Sequence, residues 1–148
     1  MKKIIFTLGI AIVSVFALAQ CPAGQTEVTI DVGTDGWGYE VYWELTPTGN
    51  ACGSGATIFS GGNAAVGCTA NSVSPGGGYA NGITISEGPW CLTDGATYDI
   101  LSRDGYGDGG TDFVVNIATF PLYNFSAGSA NETFSFSVNP PPALDGAM

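Results

Sequence analysis

Nine residues, Asp104-Gly-Tyr-Gly-Asp-Gly-Gly-Thr-Asp112, place three carboxylates at i, i+4 and i+8 on a backbone that carries four glycines. Carboxylates at this density repel unless a positive charge sits among them. Glycine tolerates φ > 0, so the chain can double back and Asp104, Asp108 and Asp112 are expected to converge instead of spreading along a strand. Oxygen ligands gathered by a tight loop hold hard cations, and Ca2+ is the expected occupant.

Against the EF-hand pattern, Asp104, Asp108, Gly109 and Asp112 match positions 1, 5, 6 and 9. Position 3 is Tyr106 and position 12 is Val115, so an EF-hand in the full sense is ruled out. A partial carboxylate cage survives, and it needs a second loop. Thr34-Asp-Gly-Trp-Gly-Tyr-Glu40 repeats the plan of Arg103-Asp-Gly-Tyr-Gly-Asp-Gly109: acid, glycine, aromatic, glycine, then an acid within two residues. Asp35 and Glu40 would supply the missing ligands if both loops leave the fold at the same end. The competing reading is turn chemistry alone, because Asp-Gly is a strong turn dipeptide and Asp side chains cap their own backbone amides.

Trp37, Tyr39 and Tyr106 lie inside these loops, where core packing does not readily account for all three. Flat aromatic faces beside acidic acceptors suit sugar rings, whereas the simpler alternative is that the rings fold back over a sheet end. Trp43 alternates with Val41 and Leu45 and reads as core, and Trp90 is expected to pack on a disulfide.

The elements that must position these loops are strands. From Thr26 onward apolar and polar residues alternate in short runs, with no sustained 3.6-residue period. Val28, Ile30 and Val32 share one strand face; Val41, Trp43 and Leu45 share another, with Tyr42 and Glu44 opposite. Further strands are expected over Thr57 to Ser60, Gly82 to Ser86, Thr97 to Ser102, Asp112 to Ala118 and Glu132 to Val138. The fold expected is all-β, a two-sheet antiparallel β-sandwich of about seven to eight strands. Gly61 to Asn81 reads as a glycine-rich excursion, and Pro121 to Asn131 as a shorter crossing before the last strand.

Lys2 and Lys3, an apolar run from Ile4 to Phe16 and Ala17-Leu-Ala19 compose a secretory signal peptide over residues 1–19. No segment reaches the length of a membrane span. Cys21 also admits a lipid-anchor reading, against which stands Gln20 where such a motif carries Gly, Ala or Ser. The β-sandwich is expected over 20–138. Residues 139–148 open with Asn139-Pro-Pro-Pro142, a semi-rigid linker expected to lead into a further domain, with a frayed tail as the alternative.

The 148 residues contain no histidine, which removes the usual general base and the commonest zinc ligand. After cleavage one basic residue, Arg103, faces 13 acids, a formal charge of −12. Nucleic acid and anionic membrane are therefore poor partners. Cys21, Cys52, Cys68 and Cys91 should oxidise in an exported chain, with three pairings open. Cys52 with Cys68 is favoured because it closes the excursion, which leaves Cys21 with Cys91. Zinc is disfavoured, since no Cys-x-x-Cys knuckle exists.

Trp43-Glu44-Leu45, Cys91-Leu-Thr-Asp-Gly95, Tyr98-Asp-Ile100 and Asp104-Gly-Tyr-Gly-Asp-Gly109 together resemble a recurrent β-sandwich module of secreted bacterial proteins. That module pairs a W-E-L strand with a C-L-x-x-G turn and a D-x-Y-G-D-G loop, and the resemblance covers roughly Glu27 to Ile117. It implies a non-catalytic accessory domain of exported multidomain enzymes or surface proteins, and it brings no ligand with it. This chain departs from the pattern in Asp104-Gly, where Asp-Ser is usual, and in the Gly61 to Asn81 insert.

The function expected is thus a secreted, calcium-stabilised binding, adhesion or structural module whose partner is a glycan or another cell-surface component. Two alternatives remain. One is a small glycoside hydrolase drawing on Glu40, Glu44 and Glu87, and the other is a ligand-free spacer.

Overall fold

The computed structural model describes residues 21–139, so the expected signal peptide and nearly all of the expected linker lie outside the described residues. Alternation dictates the architecture. Eight strands form: β1 (Gln25–Thr34), β2 (Val41–Pro47), β3 (Phe59–Gly62), β4 (Thr84–Thr93), β5 (Thr97–Asp104), β6 (Thr111–Ile117), β7 (Phe120–Ala127) and β8 (Asn131–Ser137). They make two four-stranded antiparallel sheets, ordered β4-β1-β6-β7 and β3-β2-β5-β8, that pack as a β-sandwich.

Val28, Ile30 and Val32 from one sheet meet Val41, Trp43 and Leu45 from the other in a single core. Trp43 is fully buried, its ring centroid 5.6 Å from Phe113 across the sandwich and 5.3 Å from Phe59. Each large apolar side chain buried here contributes roughly 1.5–3 kcal/mol, so this layer drives the pairing of the sheets. Trp90 joins it, 5.1 Å from Phe59 and edge-on to Trp43.

Some elements depart from the expected strands. Phe120–Ala127, expected as part of a crossing, is strand β7 on the edge of the first sheet. Pro121 is tolerated there because an edge strand has only one neighbour to bond. The turn into it, Ala118-Thr119, has both residues at positive φ, 48° and 72°, a hairpin turn built without the Asn or Gly that normally announces one. Strand β4 runs seven residues past Ser86, with Gly88 and Pro89 inside a register shift against β1. Glu44 faces away from the core as expected, yet it is only 3 % exposed. The segment closed by Cys52 and Cys68 covers it, and Tyr42 Oη, Gly53 N and Thr57 Oγ1 donate to its carboxylate at 2.7–2.9 Å.

Both disulfides join the favoured partners, Cys21 with Cys91 and Cys52 with Cys68. The Cys21 sulfur, which a lipid anchor would use, is bonded to Cys91. No helix among the described residues is long and apolar enough to cross a membrane.

The two bridges span 70 and 16 residues. A longer loop restrains more of the unfolded chain, so replacing Cys21 and Cys91 by Ser is expected to cost about 4 kcal/mol and replacing Cys52 and Cys68 about 3 kcal/mol. Urea denaturation of the two double variants measures both, and the opposite ranking would contradict the loop-length explanation.

Candidate metal and ligand site at the shared end of the sheets

Strand register brings the two acidic loops together. Thr34 at the end of β1 lies opposite Thr111 at the start of β6, and Asp104 at the end of β5 lies opposite Val41 at the start of β2. The β1–β2 and β5–β6 loops therefore leave the sandwich at one end. Two backbone hydrogen bonds join them: Asp35 N–H to the Gly110 carbonyl at 3.1 Å, and Gly105 N–H to the Glu40 carbonyl at 2.9 Å. Within each loop the first acid caps its own turn. Asp35 Oδ1 accepts from Trp37 N at 2.8 Å, and Asp104 Oδ1 accepts from Tyr106 N at 2.7 Å and Gly107 N at 2.5 Å. The sequence repeat is thus one turn chemistry used twice.

Turn chemistry does not account for every acid. Glu40 ends a short 3₁₀ turn, Gly38–Glu40, and offers a carboxylate oxygen that lies, with one from Asp104 and one from Asp108, in a group all within 4.8 Å of one another. Oxygens grouped this closely could hold a metal ion; Ca2+ takes its oxygen ligands at about 2.3–2.6 Å. Glu40 and Asp104 are 4 % and 3 % exposed, while Asp108 is open to solvent. Burial raises the Glu40 pKa above the ordinary carboxyl range, and repulsion from Asp104, Asp108 and Asp35 adds to the rise; the adjacent Tyr39 hydroxyl offsets part of it. Arg103, the sole base among the described residues, donates to the carbonyls of Cys68, Ser102 and Glu132 and is not among the groups acting on Glu40.

Asp35 and Asp112 stand outside the trio. Asp35 is held by its own turn and acts on Glu40 only through its charge. Asp112 follows the alternation of β6 to the outer face, where it bonds the Ser126 hydroxyl. These two acids border a separate open groove.

The aromatic residues separate by exposure. Tyr39 packs inward at 8 %, whereas Trp37 and Tyr106 are 53 % and 68 % exposed. All three border a cleft of about 230 Å³ together with Glu40 and Asp108. Of the carboxylates considered for glycoside hydrolysis, only Glu40 lies there. Glu44 is saturated by its three donors, and Glu87 accepts from Tyr79 Oη at 2.7 Å. Glu44 also neighbours Cys52 and Cys68, but those sulfurs are bonded to each other and present no thiolate to a metal.

The glycine-rich excursion positions both loops, a role its sequence does not announce. Asn81 Oδ1 accepts from Gly38 N at 2.9 Å, and Asn63 Nδ2 donates to the Tyr39 carbonyl at 2.7 Å. A Cβ on Gly38 would stand 2.4 Å from the Ala80 carbonyl oxygen, and one on Gly105 2.7 Å from that of Asn71. Glycine at these two positions lets the excursion press on both loops. Contacts between residues so far apart in sequence leave no local pattern to read. Compared with known proteins, the chain matches no family model, no curated protein and no solved structure.

The raised Glu40 pKa fixes the sign of a pH dependence. A carboxyl whose folded pKa exceeds its ordinary value of 4.5 stabilises the fold while protonated; that contribution is whole below 4.5 and is lost as pH rises through the folded value. In chelator, the melting temperature of the wild type relative to Glu40→Gln is expected to fall as pH rises through this window and then level off. A flat or rising difference would contradict the burial and repulsion assigned to Glu40.

Proposed function

We propose that this chain is a secreted, non-catalytic binding module, accessory to a larger exported protein, in which Ca2+ locks the two loops and Trp37 and Tyr106 present stacking faces to a glycan of a cell surface or matrix. One observation carries the metal: Glu40, Asp104 and Asp108 bring oxygens within 4.8 Å of one another, and among the described residues no base neutralises them. Glu40, Asp104 and Asp108 would hold the ion, and the ion would supply positive charge and an oxygen-seeking coordination shell. Two disulfides support an oxidising compartment, and the W-E-L, C-L-x-x-G and D-x-Y-G-D-G motifs support the accessory-module setting. The absence of histidine and the separate commitments of Glu44 and Glu87 support a non-catalytic role.

The caps made by Asp35 and Asp104 favour a second reading, a ligand-free spacer whose acids only close turns. Thermal melting of the full mature chain separates the two. Calcium at about 100 times its dissociation constant is expected to add about 2.7 kcal/mol of stability over chelator. Asp108→Asn should abolish this increment and Asp112→Asn should preserve it. No increment in the wild type would leave the spacer reading standing and remove the metal.

A further inference from the structure

We propose that Asn81 is a deamidation site held in check by the fold, and that its conversion to aspartate or isoaspartate releases the clamp between the glycine-rich excursion and the β1–β2 loop. Among the asparagines of the chain only Asn81 is followed by glycine. Glycine lacks the Cβ that hinders attack by its own backbone nitrogen on the preceding side chain. A Cβ built on Gly82 would meet nothing within 4 Å, so this turn has room for a ring. Asn81 and Gly82 are both exposed. Asn63, the other clamp, differs: it is 7 % exposed and precedes Ala64.

The reaction needs only water. Gly82 N attacks Asn81 Cγ, a C–N bond forms as the N–H proton passes to solvent, the Cγ–Nδ2 bond breaks and ammonia leaves. Water then opens the cyclic imide. Opening at Cγ yields aspartate on the original backbone. Opening at the main-chain carbonyl carbon of Asn81 yields isoaspartate, whose backbone runs through Cγ and is longer by a carbon.

Native contacts oppose the first step. The attacking Gly82 N–H donates to the Asp35 carbonyl at 2.5 Å, and Asn81 Oδ1 accepts from Gly38 N at 2.9 Å. Bringing Cγ to bonding distance draws Oδ1 with it and consumes the N–H that Asp35 holds. Thr34 fastens the same turn, its Oγ1 donating to the Ala80 carbonyl at 2.8 Å and accepting from Ile83 N at 3.2 Å. Attack therefore waits for residues 80–83 to open from Thr34–Gly38, and breaking two ordinary hydrogen bonds is enough to slow it at least about tenfold. Isoaspartate cannot restore the register, because its longer backbone displaces Gly82 N from Asp35. Either product also adds a negative charge beside a loop that already carries Asp35 and Glu40.

The test incubates the full mature chain at mildly alkaline pH, folded and in urea concentrated enough to unfold it with both disulfides intact. Mass spectrometry follows the peptide containing Asn81 by the mass gained as –NH2 becomes –OH; isomerisation at Asp-Gly pairs leaves mass unchanged and does not interfere. Conversion is expected in urea, at least about tenfold slower in the folded chain, and faster in folded Thr34→Ala than in folded wild type. The converted chain, separated from the unmodified one by charge, is expected to melt at a lower temperature. No conversion in urea overturns the site. Equal rates folded and in urea, or a Thr34→Ala rate no faster than wild type while circular dichroism shows a native fold, overturns control by local opening; the wild-type comparison decides the matter should Thr34→Ala fail to fold. Equal melting temperatures overturn the release of the clamp.

Discussion

Two loops that begin on different sheets are joined by the hydrogen bonds from Asp35 N to the Gly110 carbonyl and from Gly105 N to the Glu40 carbonyl. Strand register makes that meeting unavoidable, because β1 and β6 are neighbours in one sheet and β2 and β5 are neighbours in the other. The loops carry both their acids and their aromatics into one small volume. The excursion fastens the arrangement through Asn63 and Asn81, and Cys52–Cys68 ties its first half to the segment over β2.

Holding the loops together has an electrostatic consequence. Two unit charges 4.8 Å apart repel by about 3.5 kcal/mol at an effective dielectric constant near 20. Elsewhere this chain quiets its buried carboxylates with donors, as it does for Glu44 and Asp99. Glu40 has only the adjacent Tyr39 hydroxyl, and burial together with repulsion from Asp104, Asp108 and Asp35 raises its pKa. A proton relieves the repulsion at low pH, and in the proposed function a divalent cation does so at neutral pH.

Much of the fold was legible because its signal is local. Val28, Ile30 and Val32 alternate cleanly, and so do Val41, Trp43 and Leu45; both sets lie in the core. Pairing Cys52 with Cys68 followed from the excursion between them. Strand β7 was hidden by Pro121 and by a hairpin turn made from Ala118 and Thr119, neither of which favours positive φ. The site was legible in part. The repeat of acid, glycine and aromatic pointed to two cooperating loops, and the structure brings Glu40, Asp104 and Asp108 together. Spacing alone could not separate Asp108 from Asp112, because only the start of β6 at Thr111 turns Asp112 outward. The clamps by Asn63 and Asn81 depend on long-range contacts and have no sequence signature.

Trp37, Tyr39 and Tyr106 border the same cleft as Glu40 and Asp108, so the site carries its own optical reporter. Terbium has calcium's coordination preferences and emits when nearby aromatic rings pass excitation to it. Titrating the mature chain with Tb3+ under excitation of its aromatic residues tests most directly whether the two loops share a cation. Sensitised emission that saturates, is displaced by Ca2+ and is lost in Glu40→Gln and Asp108→Asn is the result expected. Absent emission, or emission that both substitutions leave intact, would contradict a cation held between the loops.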